Sequence, residues 1–306
     1  MPGLRSGPLG EPRSFPQLLP VPHIPPPYCY RCPLGRVYPD CGVACADELE
    51  RAILTEGPAS VAAFIAEPII GTTATGVVPV PEYYGRIRQI CDRHDVLFIT
   101  DEVLTGYGRT GAFLAIEHWG VEPDIITMGK GVSSGYVPLG AVLASSRVVE
   151  AFEQGTGQFS HGFTFSGNPL CTFVGVQVLD YVQEHGLFEA VAEKGDYLRA
   201  ALSEVADRHP MVGDLRGRGL LVGLEFVADP ASKVPFPEDA EITRRVIAGA
   251  LDRGVLLIGG VPGANYGAGG DHIQISPPYI IGNDEIELVA EVLDATLTEI
   301  EAGLRP

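Results

Sequence analysis

Three ionisable residues each follow a short apolar run, and together they offer one amine and two carboxylates. Glu67 ends "VAAFIAE", Asp101 ends "VLFITD", and Lys130 follows "DIITMG". Of the 21 basic residues, only Lys130, Lys194 and Lys233 are lysines. A lysine amine can act as a nucleophile, whereas an arginine guanidinium stays protonated. The lysine at position 130 therefore indicates chemistry rather than a simple need for positive charge.

The elements that must position these residues are short buried strands separated by helices. In residues 46–186, apolar runs alternate with helical patterns such as "PEYYGRIRQICDRHD" and "NPLCTFVGVQVLDYVQEHG", and "PLGAVLAS" predicts a fourth strand. This alternation is typical of an α/β domain whose mainly parallel sheet has helices on both faces. Ligands bind such sheets at the carboxyl ends of the strands, which is where the three residues are expected.

The spacing of these strand ends suits one aromatic cofactor. Neighbouring strands lie about 4.8 Å apart, so an acid and a lysine one or two strands apart can flank a single ring. Pyridoxal 5'-phosphate requires a lysine that forms a Schiff base with its aldehyde and a carboxylate that keeps its pyridine nitrogen protonated. Lys130 and Asp101 fit these two roles. The alternative is a lysine that extends from a strand end into solvent.

Two further parts are predicted around this domain. Residues 1–45 are rich in proline and cysteine and predict an extended arm on the surface. Residues 187–306 alternate long helices with short strands and predict a smaller C-terminal α+β domain. A glycine-rich segment near residue 260 does not open a helix, so we interpret it as a mobile loop rather than a phosphate site.

Composition narrows the classes of partner and location. A formal net charge of −18 argues against a nucleic-acid partner and an anionic membrane surface. The sequence contains no run of about 18 apolar residues, so no membrane span is predicted. The first residues lack the apolar region of a signal peptide. We therefore expect a cytoplasmic protein.

Four cysteines crowd into "CYRCPLGRVYPDCGVAC". These are Cys29, Cys32, Cys41 and Cys45. Four thiolates can close a tetrahedral zinc site, but the loop between the pairs is short and interrupted by proline. Reduced thiols in a packed loop are the favoured interpretation, and no metal is expected.

Four ordered stretches carry a resemblance to a known family. They are "AAFIAEPIIGTTATGVVPVPEYY", "LFITDEVLTGYGRTG", "DIITMGKGVSSGYVPLGAV" and "HGFTFSGNPLC". Together they resemble the class III (omega-type) aminotransferases, which are fold type I pyridoxal phosphate enzymes. The likeness continues into "VGDLRGRGLLVGLEF" and "GDHIQISPPYII" and covers residues 20–303. It implies a partial fold type I large domain in residues 46–186 and the family's small domain after it.

The resemblance also implies roles for individual residues. Lys130 matches the lysine that forms the Schiff base and moves the proton, and Asp101 matches the carboxylate on the pyridine nitrogen. Val103 matches the apolar residue against the ring, and Glu67 a glutamate on the substrate side. Thr164 matches a threonine that binds the cofactor phosphate in the partner subunit, which implies a homodimer. The implied reaction is ping-pong transfer of an amino group from an amine or omega-amino donor to a keto acid.

Two departures from the family pattern leave alternatives open. The family's N-terminal serine- and glycine-rich phosphate loop has no match here, so a truncated, inactive aminotransferase-like protein is a second candidate. Gln274 stands where relatives that act on α-carboxylates often have arginine, and Leu104 where some have glutamine. An amide lacks the charged, bidentate clamp of a guanidinium, which favours a primary-amine or omega-amino donor.

Two minor alternatives concern the class of reaction. An aminomutase of the same family shares these motifs. "GYGRTG" also matches the glycine pattern of nicotinamide dehydrogenases, but five residues separate it from the strand end, where the glycines should begin at once.

Overall fold

The computed structural model describes residues 21–260 and 270–304, which divide into two compact units. Among these residues, unit 1 comprises 21–40, 69–78, 192–260 and 270–304, and unit 2 comprises 41–68 and 79–191. The start of the predicted arm and most of the glycine-rich segment near residue 260 lie outside the described residues. No helix in the described part of the chain is long and apolar enough to cross a membrane.

Unit 2 contains a four-stranded sheet. Its strands are β1 (Ala63–Ala66), β2 (Leu97–Asp101), β3 (Ile125–Met128) and β4 (Ala141–Ala144), in the order β1-β2-β3-β4. The first three strands run parallel, which agrees with the prediction, whereas β4 pairs antiparallel with β3. A parallel fourth strand would need a long crossover, usually a helix, but residues 129–140 contain only a short 3-10 turn.

The helices of unit 2 are α1 (Ala44–Glu56), α2 (Tyr83–His94), α3 (Ser146–Gln154) and α4 (Pro169–Glu184). In α2, the buried residues Tyr84, Ile87 and Ile90 form one face, and the Tyr84 ring stacks on Phe98 of β2 with 5.8 Å between centroids. The Asn168 side chain caps α4 by accepting hydrogen bonds from two backbone N–H groups, at 3.0 and 3.2 Å. Helix α5 (Leu187–Arg208) leads into unit 1.

Asp124 joins three elements of unit 2 just before β3. Its carboxylate accepts the Phe98 N–H of β2 at 2.7 Å and pairs with Arg88 of α2 at 2.7 Å and Arg147 of α3 at 3.3 Å. Burial alone would raise the pKa of Asp124, but the Phe98 hydrogen bond and Arg88 outweigh it and lower the pKa. This ionised carboxylate fixes the start of β3, which leads to Lys130.

Unit 1 is built on an antiparallel sheet of order β5-β6-β8-β7. Its strands are β5 (Val212–Arg218), β6 (Leu221–Phe226), β7 (Ile258–Gly259) and β8 (His272–Ile275). Every residue of β6 and β8 is buried, so these two strands form the core of the sheet. Helices α6 (Ile242–Asp252) and α7 (Asn283–Leu304) complete the unit.

The segment predicted as a surface arm is anchored inside unit 1 at Tyr28. This side chain is 3% exposed, and its hydroxyl donates a hydrogen bond to Glu225 of β6. Arg31 also donates to Glu225, and Arg216 of β5 does so at 2.8 Å. Sequence patterns predicted the extended backbone from the prolines but could not show that side chains between them enter a buried ionic cluster.

The sheet of unit 2 is not covered as evenly as the sequence predicted. Three of the four residues of β4 are exposed, α3 has no buried residue, and α4 buries only Gly175 and Val182. In contrast, five residues of α2 are buried. Within the described residues, α4 therefore buries only a small part of its surface.

Candidate active site

The ends of β1, β2 and β3 bring the three predicted ionisable residues to one edge of the sheet. Asp101 is the last residue of β2 and is in register with Thr127 of β3. Lys130 follows Thr127 by three positions, and Glu67 directly follows the end of β1. The carboxyl ends of three adjacent parallel strands thus supply the amine and the two acids, at the position where such sheets bind ligands.

The backbone at Lys130 is strained. Its φ angle is +44°, in the left-handed region that residues with a side chain rarely adopt, and it begins a 3-10 helix that ends at Ser133. Such conformations cost about 1–3 kcal/mol and cluster at functional sites. The side chain is exposed at the sheet edge.

The ammonium group of Lys130 differs from those of the other two lysines. Lys194 donates to the backbone oxygen of Tyr279 at 2.7 Å, and Lys233 donates to that of Tyr30 at 2.6 Å. Within the described residues, Lys130 has no such hydrogen bond and no ion pair. Its amine is therefore the one that is available to a ligand.

Two glycines place Lys130 against the loop that follows β2. A Cβ atom on Gly129 would lie 3.4 Å from Cγ1 of Val103, and one on Gly131 would lie 3.3 Å from Cβ of Tyr107. The Val103 N–H in turn donates to the Asp101 carboxylate at 3.1 Å. Val103 therefore lies close to the residue before Lys130 and is hydrogen-bonded to Asp101, so the loop after β2 links the surroundings of Asp101 and Lys130.

Glu102 is a positioning residue that the sequence analysis missed. Its buried carboxylate accepts the Ile116 N–H at 2.9 Å and the Thr105 hydroxyl, and burial raises its pKa. These bonds fix the loop that carries Val103. The signal in the sequence is the adjacent acid pair, because successive strand side chains point to opposite faces and only one acid can face the ligand side.

Tyr107, which was also missed, fastens the same loop to α4. Its hydroxyl donates to the backbone oxygen of Gly175 at 3.1 Å, and its φ is +64°. The glycines beside it are required by packing. A Cβ on Gly106 would lie 2.8 Å from the backbone oxygen of Glu102, and one on Gly108 would lie 2.2 Å from the Phe188 ring. "GYGRTG" is thus a packed turn that does not open a helix, so it offers no helix N-terminus to a dinucleotide.

Glu67 keeps its place at the end of β1, whereas Thr164 and Gln274 belong to other parts of the fold. Thr164 is exposed in the turn that precedes α4, and no hydrogen bond in the described part of the chain joins it to Lys130 or Asp101. The Glu67 backbone oxygen accepts the Tyr84 hydroxyl at 2.7 Å. Gln274 lies buried on β8 of unit 1, where its amide nitrogen donates to the Ser276 hydroxyl at 3.0 Å.

The cysteine cluster forms no disulfide, since all six cysteines are free thiols. Across residues 21–260 and 270–304, no group of three or more histidine, cysteine, aspartate or glutamate side chains is arranged to hold a metal ion.

The strain at Lys130 leads to a stability prediction. Lys130→Gly is expected to be more stable to urea than Lys130→Ala by about 0.5–1 kcal/mol, because glycine adopts a positive φ without steric cost. Both variants lack the amine, so the difference reports the backbone alone. Urea unfolding followed by circular dichroism measures it, and a glycine variant less stable than the alanine variant would contradict the observed backbone conformation.

Comparison with known proteins supports the family resemblance inferred from the sequence. The family model for aminotransferase class III matches residues 13–297. The chain is 40% identical over 260 residues to the uncharacterised aminotransferase YodT of Bacillus subtilis, covering 85% of this chain and 58% of that protein. It is 35% identical over 314 residues to the diaminobutyrate–2-oxoglutarate transaminase of Halomonas elongata, covering 99% and 65% respectively.

A solved structure shows the same likeness. An amine transaminase from an uncultivated Pseudomonas species, in its pyridoxal phosphate-bound form, superposes with a TM-score of 0.82 at 36% identity. The superposition covers 90% of this chain and 61% of the transaminase. The chain therefore spans less than two thirds of the length of the relatives it matches. With its fold, its strand-end residues and the match to the family model, the chain belongs to the class III aminotransferase family.

Proposed function

We propose that this chain provides the lysine-bearing part of a pyridoxal phosphate-dependent aminotransferase. The observation that carries the proposal is the environment of Lys130. Its backbone is strained, and its amine has no hydrogen bond or ion pair within the described residues. The adjacent strand β2 ends at the carboxylate of Asp101. Both other lysines are hydrogen-bonded to backbone oxygens.

The side chains at this edge fit the cofactor by their chemistry. An amine, a carboxylate and an apolar side chain are the groups needed to hold an aromatic aldehyde with a basic ring nitrogen, and Lys130, Asp101 and Val103 supply them. When bound, pyridoxal phosphate supplies an electron-accepting ring that stabilises negative charge on a substrate carbon.

Each residue then has a task that its position allows. Lys130 would bind the aldehyde and, once displaced by a donor amine, move the proton at the substrate carbon as general base and acid. Asp101 would keep the ring nitrogen protonated, and Val103 would pack against the ring. Glu67 would act on the substrate side. The amino group would pass from the donor to a keto acid in two half-reactions.

We further propose a homodimer in which Thr164 binds the cofactor phosphate of the partner subunit's site. Thr164 lies between Phe163 and Phe165, which are 74% and 80% exposed. Exposed aromatic residues of this kind are enriched at protein interfaces. The location that suits six free thiols is the reducing cytoplasm.

The proposed donor is a primary amine or an omega-amino compound. Gln274 is an amide and offers no cation for an α-carboxylate, Leu104 stands where some relatives have glutamine, and the Halomonas relative is named for diaminobutyrate. On the complete, active protein, rates with simple amines and omega-amino acids are expected to exceed those with ordinary α-amino acids. A strong preference for an α-carboxylate donor, measured in the same panel of amines, would contradict this donor class.

Covalent trapping tests the cofactor proposal directly. After incubation with pyridoxal phosphate and reduction with borohydride, peptide mapping is expected to find the adduct at Lys130. Lys194 and Lys233 serve as internal controls, because their amines are held by backbone oxygens. An adduct spread evenly over the three lysines, or none at Lys130, would favour the second candidate, an inactive member of the family.

A further inference from the structure

Unit 1 contains a cavity of about 350 Å³ whose lining residues have no task in the proposed reaction. The cavity is lined by Tyr28, Cys29 and Tyr30, by Val77 and Val78, and by residues of α5 and β5. All of them belong to unit 1, so the cavity is a property of that unit alone. Its volume falls within the range of small-molecule sites, which is about 300–1,000 Å³.

The charged residues that line the cavity are three arginines and one acid. Arg216 pairs with the lining residue Asp214 and with Glu225, both at 2.8 Å, so its charge is compensated. Arg199 of α5 and Arg218 at the end of β5 are the other two arginines. The chain has 39 acidic and 21 basic residues, so this local excess of positive charge does not follow from its composition. The lining therefore favours a negatively charged ligand.

Arg218 is the cation that lacks an acidic partner. The residue is exposed, and across residues 21–260 and 270–304 its guanidinium forms no hydrogen bond or ion pair. Partial burial and the positive charge of Arg199 lower the pKa of Arg218, and Asp196 acts in the opposite direction. Asp196 lies 3.3 Å from Arg199 at the surface, where such a pair is weak. Both arginines stay charged at neutral pH, so an anion beside them would relieve their repulsion.

The other walls of the cavity are apolar and held in position by the fold. Tyr28 is buried, and its hydroxyl donates a hydrogen bond to Glu225, which fixes the ring. The Tyr30 ring lies 6.2 Å from the Tyr28 ring, between centroids, and the Lys233 ammonium lies 4.3 Å from the Tyr30 centroid. Val77 belongs to the same buried cluster as Tyr28. Apolar walls with a few charged groups are typical of small-molecule sites.

We propose that this cavity binds a small organic anion, whose carboxylate or phosphate group contacts Arg218 and Arg199 and whose apolar body lies against Tyr28 and Tyr30. The planar guanidinium groups can each give two parallel hydrogen bonds to such an anion. The proposal concerns unit 1 and does not depend on the proposed reaction.

Ligand-detected NMR on the full chain, without cofactor, tests the site. Benzoate and phenyl phosphate are the charged probes, and benzamide is a neutral probe of nearly the same shape as benzoate. Benzoate is expected to bind at least about tenfold more tightly than benzamide, because only the carboxylate can pair with the guanidinium groups. Tighter binding of phenyl phosphate than of benzoate would identify phosphate as the preferred anionic group.

Variants locate the binding of benzoate. Arg218→Gln is expected to weaken it at least about tenfold. Arg218→Lys keeps the charge without the bidentate geometry and is expected to restore part of the affinity. Arg244→Gln is the matched control, because it removes the same charge from an exposed position of unit 1 outside the cavity lining. Lys130→Ala is expected to bind benzoate like the wild type. Circular dichroism confirms that each variant is folded.

Cys29 gives a second readout, because it is exposed and lines the cavity. Iodoacetate and iodoacetamide both alkylate thiols, but only iodoacetate is an anion. At low salt, the ratio of the iodoacetate rate to the iodoacetamide rate at Cys29 is expected to fall at least about threefold in Arg218→Gln, because the attracting cation is lost. At Cys41, which does not line the cavity, the ratio is expected to stay the same. Peptide mapping by mass spectrometry measures both cysteines.

Three results would overturn the proposal. They are equal affinities for benzoate and benzamide, wild-type affinity in Arg218→Gln, and loss of benzoate binding in Lys130→Ala, which would place the probe at the strand ends of unit 2. None of these measurements uses pyridoxal phosphate. A failure here therefore leaves the proposed adduct at Lys130 untouched, and a missing adduct leaves the proposed anion site untouched.

Discussion

Lys130→Ala is expected to abolish the visible absorbance that the purified chain develops with pyridoxal phosphate and to lower amine transfer at least about 10³-fold. The reason is that the amine has two tasks, since it binds the aldehyde and moves the proton. No other lysine can replace it, because Lys194 and Lys233 are bonded to the backbone oxygens of Tyr279 and Tyr30. Spectrophotometric titration and rate measurements on the same preparation test this.

Two controls separate chemistry from charge and folding. Lys130→Arg keeps the positive charge but not the nucleophile, so it is expected to behave like Lys130→Ala. Lys194→Ala removes a lysine outside the site and is expected to keep the absorbance. If Lys130→Ala still gave the wild-type spectrum, the aldehyde would be bound at another residue and the proposed site would be wrong.

Glu225→Ala is expected to lower the free energy of unfolding by about 3–5 kcal/mol, because it leaves buried cations without their acid. The wild-type carboxylate is fully buried and accepts hydrogen bonds from Tyr28, Arg31 and Arg216. Glu299→Ala is the matched control. Glu299 pairs with Arg253 at 2.7 Å on the surface, so its loss is expected to cost at most about 1 kcal/mol. Urea unfolding of the three proteins decides between these values.

The Glu225 carboxylate also determines whether the free energy of unfolding rises or falls with pH. Burial alone would raise the pKa of Glu225, but Arg216, Tyr28 and Arg31 outweigh burial and hold the pKa below the ordinary value. A lowered folded-state pKa means that the stabilisation is complete above the unfolded value of about 4.3 and is lost as the pH falls through the folded value. Wild type is therefore expected to approach Glu225→Ala in stability on acidification. An unfolding free-energy difference that stays constant below pH 4 would contradict this.

The strand ends were the part of the molecule that sequence reasoning predicted best. Apolar runs that terminate in Glu67, Asp101 and Lys130 predicted three strands, and parallel pairing brought their ends to one edge. The prediction worked because strands of a parallel sheet are typically apolar along almost their whole length, and β1, β2 and β3 carry this pattern although the described residues bury them only in part. The direction of β4 was harder to predict, because a four-residue apolar run is equally compatible with either pairing.

The residues that hold the site in place were less predictable. Glu102 and Tyr107 act through hydrogen bonds to Ile116 and Gly175, which lie 14 and 68 positions away. Local patterns give no information about partners at such distances. The positive φ of Lys130 was also invisible, because left-handed backbone is inferred from glycine, and here a lysine adopts it.

The discontinuous make-up of unit 1 has a practical consequence for anyone who divides the protein. A fragment that begins at residue 192 would contain β5 to β8 but would lack Tyr28 and Arg31. Of the three residues that donate hydrogen bonds to Glu225, only Arg216 would remain. Cutting the chain once, before residue 192, would thus leave the buried Glu225 carboxylate without two of its three hydrogen-bond donors. A version of unit 1 that folds by itself would have to join residues from separate parts of the sequence.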